Sequence, residues 1–446
     1  MSTVTRASRH AGLEDGSLTP FHRKLTVYSS GGPFLDGYIM SIIGVAMLQI
    51  SDYMHLSVVW EGVIGASALV GIFLGGFVGG WLSDRFGRQV LYALDLVAII
   101  VCSVLQFWVE GPWMLLLLRI GVGIAVGADY PIATTLLTEF LPRRHRGPAI
   151  SFLMIMWFLG AAVAYVVGEW ISGLGGESWR WMLASAALPA LVIVCLRHGT
   201  PESPRWLIQK GRLAEAEAVL KKVFGPSANI NDLEEQQGGS VSARDLLKSG
   251  YLGRVAFVTT FWTCSIVPLF AVYAFGPRIL QSMGFDEDSA NTGTAVINFL
   301  FLAGCLICTV FINRSGRRKL VIQSFLWSGA ALLALGLFPG APGPVILALF
   351  AAYAIAIGGA QILQFVYPNE LFPTSIRGSA VGLASSLSRI GAAAGTYLVP
   401  VMLTDLGIGP TMLIMPGKTL SRRRAVWPRG SGERRLVPRL SVSRDI

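Results

Sequence analysis

Charged residues are scarce in this sequence. Only 14% of its 446 residues are Asp, Glu, Lys or Arg, whereas 53% are hydrophobic, and the mean hydropathy is +0.59. Soluble domains carry about 25% charged residues. The composition therefore excludes an ordinary soluble protein and indicates a chain that is largely surrounded by lipid.

Motifs for metals, nucleotides and nucleic acids are also missing. The five cysteines lie inside or at the edge of apolar stretches, and Cys305-x-x-Cys308 has no second pair or histidine nearby to complete a metal site. No glycine-rich phosphate loop follows a strand pattern. The net charge of +10 arises mainly in residues 416–446, which hold nine basic and two acidic residues. We expect neither an enzyme nor a cofactor, a metal or a nucleic-acid partner.

What the sequence does contain is a series of long apolar stretches. A membrane-spanning helix needs about 20 mostly apolar residues, and eleven stretches meet this requirement. They run near 25–48, 59–82, 89–109, 112–138, 148–172, 180–198, 254–276, 289–312, 320–338, 344–367 and 379–403. The sequence predicts an all-α, multi-pass membrane protein.

The connecting loops alternate in basic residues. Loops rich in Lys and Arg stay on the cytoplasmic side of a membrane, which predicts a cytoplasmic N-terminus, with residues 1–24, and a cytoplasmic linker, residues 199–253. The linker separates predicted bundles at 25–198 and 254–415, and its segment Arg212 to Phe224 has the pattern of a short amphipathic helix. Residues 1–24 lack the apolar core of a cleavable signal peptide.

A twelfth spanning stretch is not evident. Apolar character ends within Leu406–Met415, Pro416-Gly417 follows, and the basic segment 416–446 has no apolar periodicity. We expect helix twelve to be missing or replaced, through a shifted reading frame or a truncation, with 416–446 disordered. The alternative is an authentic eleven-helix protein with a disordered tail.

Two signatures repeat at a nearly constant offset. The first follows span two, as Asp84-Arg85-Phe86-Gly87-Arg88, and returns after span eight at 313–318, 229 residues later. The second, Glu139-Phe-Leu-Pro142-x3-Arg146-Gly147, returns at 370–378, 231 residues later. The repeat predicts two pseudo-symmetric six-helix bundles.

These motifs resemble those of the major facilitator superfamily, and within it the sugar-porter-like metabolite transporters, including uncharacterised inner-membrane metabolite transporters of enteric bacteria. The loop from Gly80 to Arg88 is similar to the superfamily signature, and Pro201-Glu202-Ser203-Pro204-Arg205-Trp206-Leu207 is similar to the sugar-porter motif after helix six. The resemblance implies a secondary transporter in the cytoplasmic (inner) membrane, acting as a monomer on a small polar metabolite, with protons and lipid as further partners. Hexose carriers have a Gln-Gln pair on helix seven, which this chain lacks, and a Trp at the position of Phe365.

Three residues are candidates for proton coupling. Asp36 lies in the middle of span one, where a charge is costly unless it faces a wet cavity or a cation. The resemblance implies that Arg119 pairs with the helix-one acid and that Asp129, in Gly127-Ala128-Asp129-Tyr130-Pro131, matches the fourth helix of phosphate and organic-anion carriers. The alternatives are hydrogen bonding in the cavity for Asp36, snorkelling to the headgroups for Arg119, and hydrogen bonding across helices for Asp129.

Polar and aromatic residues inside the spans are candidates for substrate binding. Amide side chains suit hydroxyl or carboxylate groups because they both donate and accept hydrogen bonds. The same residues could instead join neighbouring helices. The candidates are Tyr130, Trp157, Asn298, Gln361, Gln364 and Phe365.

Charged residues of the loop motifs are candidates for a cytoplasmic gate. Opposed pairs such as Asp84 with Arg88, Glu139 with Arg146, Glu370 with Arg377, and Glu202 with Arg205 could hold the two halves together in an outward-open form and release as the inside opens. Alternatively, they fix the topology and cap helices. The full set is Asp84, Arg85, Gly87, Arg88, Glu139, Arg146, Glu202, Arg205, Arg314, Arg317, Glu370 and Arg377.

The sequence therefore favours a proton-coupled symporter for a sugar, polyol or small organic acid. An efflux antiporter, a non-transporting nutrient sensor and an inactive truncated product are the alternatives. A stripe of glycines on span two, Gly71, Gly75, Gly76, Gly79 and Gly80, predicts close packing against another helix.

Overall fold

The structure is a computed structural model that describes residues 18–197, 199–226, 228–230, 251–315, 317–372 and 374–420. Within these ranges the side chains of some helical residues lie outside the description, including those at 84, 130, 312–315, 365–370, 374–379 and 415–420. The described residues form helices and connecting turns, without a strand. The prediction of an all-α protein is confirmed.

The first half contains six membrane-length elements. They are α1 (Pro20–Met54), α2 (Val58–Phe86), α3 (Arg88–Leu105), α4 (Pro112–Phe140), α5 (Arg143–Ser172) and a broken sixth span made of α6 (Ser178–Ala184) and α7 (Ala187–Arg197). Two short helices follow in the linker, α8 (Pro204–Gln209) and α9 (Leu213–Phe224). Ala216, Leu220 and Val223 of α9 are buried, so the predicted amphipathic helix is present.

The second half contains α10 (Leu252–Ser282), α11 (Glu287–Ser315), α12 (Arg317–Leu337), α13 (Gly343–Leu371), α14 (Thr374–Asp405) and α15 (Ile408–Leu420). Ten spans of the described chain are long and apolar enough to cross a membrane, and α14 is not one of them. Small and polar residues such as those of Ala384-Ser-Ser-Leu-Ser388 lower the hydropathy of α14. It nevertheless runs for 32 residues in the place expected for span eleven.

Helix α15 occupies the place expected for a twelfth span. We expected apolar structure to end at Pro416, but the helix continues to Leu420 and packs against α12, where a Cβ added to Gly336 would lie 2.7 Å from Leu413 Cγ. Its 13 residues extend about 20 Å at 1.5 Å per residue. That is shorter than the hydrocarbon core of a bilayer, about 30 Å. Residues 421–446 lie outside the described structure.

Helix pairing repeats in the two halves. Helix α2 packs along α4 and α1 along α5 in the first half, while α11 packs along α13 and α10 along α14 in the second. Counting spans from the start of each half, the same positions pair in both. The prediction of two pseudo-symmetric bundles is confirmed at the level of helix packing.

The glycine stripe of α2 forms the tightest of these contacts. A Cβ added to Gly71 would lie 2.3 Å from the carbonyl oxygen of Ile120, and one added to Gly75 would lie 2.1 Å from that of Ile124. Only hydrogen fits between backbones this close, so α2 and α4 are joined along their length. A Cβ added to Gly79 would lie 2.5 Å from Ala128 Cβ, whereas Gly76 faces open space, and the surroundings of Gly80 lie outside the described structure.

Packing differs between the two ends of the bundles. We call the end that carries Pro20 and the linker helices the linker side, and the opposite end the far side. One large core runs through the middle and far side and contains residues of both halves, such as Ile64 and Phe275. On the linker side each half has its own core, one around Leu136 and Val223 and another around Val258 and Ala384. Among the described residues, the two bundles therefore share one core in the middle and at the far side, and they have separate cores at the linker side.

Candidate functional site in the bundle centre

Asp36 lies in the middle of α1 and is 7% exposed. Its Oδ2 accepts a hydrogen bond from Trp157 Nε1 of α5 at 2.7 Å, whereas its Oδ1 has no partner. Gly37 permits this approach, since a Cβ there would lie 1.9 Å from the carbonyl oxygen of Trp157. The carboxylate is thus held in a fixed position with one oxygen available to a proton, a water molecule or a substrate.

Groups of the second half face this carboxylate. The Trp157 ring contacts the rings of Tyr273 and Phe270 on α10, at centroid distances of 5.2 and 6.0 Å. The guanidinium of Arg389 on α14 acts electrostatically on Asp36 and lies 5.7 Å from the Phe270 ring. Trp157 therefore contacts two aromatic rings of the opposite bundle, and an arginine of that bundle acts electrostatically on Asp36.

Arg389, Tyr273 and Tyr353 were missed in the sequence. A signal existed for Arg389, because it is a cation inside the apolar stretch 379–403. The tyrosines gave none, since aromatic residues are common in spanning helices. Their phenol oxygens are buried without a hydrogen-bond partner, and both rings pack against Phe301.

Two of the predicted amides also have unmet hydrogen bonds. Gln361 Nε2 and Asn298 Oδ1 are buried without a partner, although Asn298 Nδ2 donates to the Thr294 carbonyl oxygen at 2.8 Å. Buried polar groups are nearly always hydrogen-bonded, so such groups suit a site for water or a polar ligand. Gln364 differs because its Nε2 donates to Ser265 Oγ of α10. It joins α13 to α10, which is the alternative role considered for these amides.

Arg119 does not pair with Asp36. It is 2% exposed, its Nη1 donates to the Ile39 carbonyl oxygen at 3.3 Å, and its Nε and Nη2 have no partner. The expected ion pair is therefore wrong for this conformation. Side-chain reach explains the difference, because the guanidinium meets the α1 backbone at Ile39, one turn beyond the acid. It is buried within the first half, so it does not snorkel to the headgroups.

Asp129 pairs with Arg197, a residue that we had not singled out. Arg197 Nη1 lies 2.6 Å from Asp129 Oδ1 and Nη2 lies 3.2 Å from Oδ2. Asp95 of α3 lies 3.9 Å from the same guanidinium, and all three side chains are less than 5% exposed. Gly32 makes room for this cluster, since a Cβ there would overlap Asp129 Oδ2. The alternative reading of Asp129, hydrogen bonding across helices, is the arrangement present.

The loop motifs of the first half join the linker to its own bundle. Arg88 forms an ion pair with Glu139 and donates to Ser203 Oγ at 3.1 Å. Glu202 accepts from the backbone N–H groups of Arg88 and Gln89 at 3.0 and 3.1 Å, which caps the start of α3. Gly87, at φ 99°, brings the chain into this position.

These contacts correct the predicted pairing. Glu139 forms its described ion pair with Arg88, whereas Arg146 was the predicted partner. Glu202 accepts hydrogen bonds at the start of α3 instead of pairing with Arg205. Arg146 Nε donates to the Leu141 carbonyl oxygen at 2.9 Å, and the Arg85 guanidinium lies over the Phe86 ring. None of these contacts crosses between the halves, since the partners are adjacent in the first half. The side chains of the other candidates lie outside the described structure, namely Asp84, Tyr130, Arg314, Arg317, Phe365, Glu370 and Arg377.

Comparison with known proteins supplies the family. The family model of sugar (and other) transporters matches residues 24–418. YaaU of Escherichia coli (strain K12), a protein named for metabolite transport, is 43% identical over 409 residues, covering 92% of this chain and 91% of the relative. The inner membrane metabolite transport protein YgcS of the same organism is 38% identical over 403 residues, covering 90% of each chain.

A solved structure shows the same fold. The inward open structure of the xylose transporter XylE from E. coli has a TM-score of 0.75 and 24% identity, covering 91% of this chain and 94% of that chain. XylE is a proton:xylose symporter of the major facilitator superfamily. The paired bundles, the repeated loop motifs and the extent of these matches lead to one conclusion: this chain is a multi-pass membrane protein that belongs to the family of sugar (and other) transporters within the major facilitator superfamily.

Proposed function

We propose that the protein is a proton symporter that carries a small polar metabolite inward by alternating access, with Asp36 as the proton carrier. The observation that carries this proposal is the half-paired carboxylate of Asp36, buried in the bundle centre between Trp157 and the opposite bundle. A buried carboxylate is stabilised by a proton or by a cation. Binding of a proton or pairing with a cation changes how the Asp36 carboxylate interacts with the second half.

Arg389 gives the proton a way to influence the bundles. When Asp36 is ionised, it attracts the guanidinium of Arg389 across the boundary between the halves. When Asp36 is protonated, this attraction is lost and Trp157 remains its partner. Because the two protonation states favour different relations between α1 and α14, proton binding and bundle arrangement are linked.

The cargo is proposed to be a sugar, a polyol or a small organic acid. Phenol, amide and carboxylate groups with unmet hydrogen bonds suit a molecule with several hydroxyl groups, and the rings of Trp157, Phe270 and Tyr273 offer apolar faces. Asn298, Gln361 and Trp157 remain candidate binding residues on this basis. Tyr130 and Phe365 remain predictions from the sequence.

The linker side is proposed to be cytoplasmic, in an inner membrane, with the protein acting as a monomer. The basic loop residues support this orientation. The first-half loop motifs then act within one bundle: Arg88, Glu139 and Glu202 hold the linker to the bundle and cap α3. This is the alternative role considered for them, and their part in a gate between halves is a proposal that awaits its test.

Uptake into proteoliposomes tests the proton coupling. The purified protein is reconstituted and offered a panel of labelled aldopentoses, polyols and aldonates, with and without an imposed inward proton gradient. For a cargo that is taken up, the gradient should increase accumulation. Asp36→Asn should abolish the increase while exchange of labelled for unlabelled cargo continues, because exchange needs no net proton movement. Asp405→Asn, an exposed acid at the end of α14, is the matched control and should behave like the unmodified protein.

Other outcomes discriminate the alternatives. Equal uptake with and without the gradient would contradict symport. Accumulation driven only by an outward proton gradient would indicate an antiporter. A protein that binds a member of the panel but moves none of it would fit the nutrient sensor instead.

A further inference from the structure

An ion pair joins the two halves at the far side. Glu61 lies in the first turn of α2, in the first half, and Arg278 lies near the end of α10, in the second half. Arg278 Nη1 donates to Glu61 Oε2. The other carboxylate oxygen, Oε1, accepts from Ser51 Oγ of α1 at 2.5 Å. Both oxygens of Glu61 are therefore occupied, and one of the bonds crosses between bundles.

Burial makes this pair unlike an ordinary surface ion pair. The Glu61 side chain is 4% exposed and that of Arg278 is 28% exposed. Charges removed from water interact strongly, and removing one partner leaves the other unpaired at a high cost. Asp52 of α1 adds a second negative charge that acts on Arg278. The arginine is thus attracted to the first half by two acids.

The surrounding backbone brings the bundles together at this point. A Cβ added to Gly62 would lie 2.5 Å from the carbonyl oxygen of Tyr397 on α14, and one added to Gly65 would lie 2.6 Å from the Phe275 ring. Pro277 has no N–H to offer to the Tyr273 carbonyl oxygen four residues earlier. Tyr165 Oη of α5 donates to this oxygen instead, at 2.9 Å. The Glu61–Arg278 pair and the bond from Tyr165 therefore cross between the halves, whereas the described linker-side contacts of Arg88 and Glu202 stay within the first half.

We infer that Glu61 and Arg278 form an ionic latch that keeps the far side closed, and that each transport cycle breaks and re-forms it. This inference rests on the proposed alternating-access transport. Opening of the far side separates α2 from α10, so Arg278 must leave Glu61. The latch therefore favours the conformation that is open toward the linker, and its strength sets how often the far side opens.

A buried cysteine reports opening without any substrate. Ala66 is buried, and it lies four residues after Gly62 on the face of α2 that meets Tyr397. Ala66→Cys is introduced into a background in which the five native cysteines are replaced by serine or alanine. The purified protein in detergent is then reacted with a charged methanethiosulfonate reagent, and the rate of labelling measures exposure of the far-side seam.

Glu61→Gln and Arg278→Gln should each increase the labelling rate by about tenfold, within the usual range of coupling free energies. The double variant should label no faster than the faster single variant, because both substitutions remove the same interaction. Arg278→Lys keeps a positive charge near Glu61 and should increase the labelling rate less than Arg278→Gln does. Glu110→Gln changes an exposed acid in a far-side loop and should leave the rate unchanged.

Unchanged labelling in both glutamine variants would overturn the latch, and so would effects that add fully in the double variant. The result is separate from the test of symport, because labelling requires neither a substrate nor a proton gradient. If the latch variants open but no cargo of the panel responds to the gradient, the latch stands and proton symport fails. If a variant does not fold, Arg278→Lys with Glu61→Asp provides a milder test, in which labelling should rise less than in the glutamine variants.

Discussion

The two ends of this protein are organised by different sets of contacts. At the far side, α2 and α1 of the first half meet α14 and α10 of the second half, with Gly62 against the Tyr397 carbonyl and Gly44 against that of Tyr273. At the linker side, the described ion pairs stay within the first half; examples are the pairs of Arg88 with Glu139 and of Arg197 with Asp129. One end is closed by contacts between the bundles, whereas the ion pairs described at the other end lie inside the first bundle.

This difference indicates which contacts can change during transport. Contacts inside a bundle must persist while the bundles move as units, whereas contacts between bundles must break and re-form. Substitutions inside a bundle should therefore act on folding. Substitutions between bundles should act on the balance of conformations.

The largest expected effect comes from removing Arg197. Arg197→Gln would leave Asp95 and Asp129 buried without a cation, a change that typically costs about 3–5 kcal/mol. We expect little folded protein, measured as monodisperse material by size-exclusion chromatography in detergent. Adding Asp129→Asn should restore part of the yield, because one uncompensated charge is removed. The control is Arg212→Gln, which removes an exposed ion pair with Glu215 and should leave the yield unchanged. A normal yield for Arg197→Gln would show that the buried cluster is not needed for folding.

A bulky residue at the far-side seam should open it without unfolding the bundles. Gly62→Leu would place side-chain atoms against the Tyr397 carbonyl, whereas Gly76→Leu on the same helix meets open space. Spin labels at the exposed residues Val59 and Leu406 report the distance between the far-side ends of α2 and α14. The distance distribution should shift to longer values with Gly62→Leu and remain the same with Gly76→Leu. A shift in both variants would argue against a specific seam.

A smaller effect is expected at the start of α3. Gly87 has φ 99°, where a side chain is strained by on the order of 1–3 kcal/mol, and a Cβ would lie 2.5 Å from Glu202 Oε2. Gly87→Ala should lower the thermal midpoint of the purified protein while the far-side distance stays unchanged. Gly382→Ala, with no neighbour within 4 Å in α14, should not lower it. Altered far-side distances in Gly87→Ala would contradict the separation of the two ends.

The smallest effect concerns the far-side turn before α11. The pKa of Asp286 is lowered from its ordinary value of 3.8 by hydrogen bonds from the Ser289 hydroxyl and the Ser289 N–H. A lowered folded-state pKa means that this carboxylate stabilises the turn above pH 3.8, and that the stabilisation is lost as pH falls through the lower folded-state pKa. Amide exchange at Ser289, followed by hydrogen–deuterium exchange and corrected for its intrinsic pH dependence, should accelerate relative to neighbouring residues in that range. Asp286→Asn should remove this pH dependence. If the corrected exchange rate at Ser289 in the unmodified protein does not change with pH, the Asp286 carboxylate does not stabilise this turn.

Much of the fold was accessible from the sequence because hydropathy and repetition are local signals. The apolar stretches located the spans, and the repeated loop motifs located the two halves. The glycine stripe predicted that α2 packs closely against another helix, which the structure identifies as α4. Partner choice was harder to predict. The Arg119–Asp36 pair was expected from a resemblance, but the arginine reaches Ile39 instead. Arg205 was the predicted partner of Glu202, but Glu202 accepts hydrogen bonds from the backbone at the start of α3. Several residues can be reached by a long side chain, and spacing alone does not choose among them.

The sequence by itself determined that the chain crosses a membrane repeatedly, that it consists of two related halves, and that Asp36 stands out as an acid in an apolar helix. These follow from the cost of placing polar groups in hydrocarbon, which acts residue by residue. Only the tertiary structure decided that Arg389 acts electrostatically on Asp36, that Arg197 lies beside both Asp95 and Asp129, and that Glu61 pairs with Arg278. Those pairs join helices far apart in the chain, and their geometry is fixed by how the bundles pack.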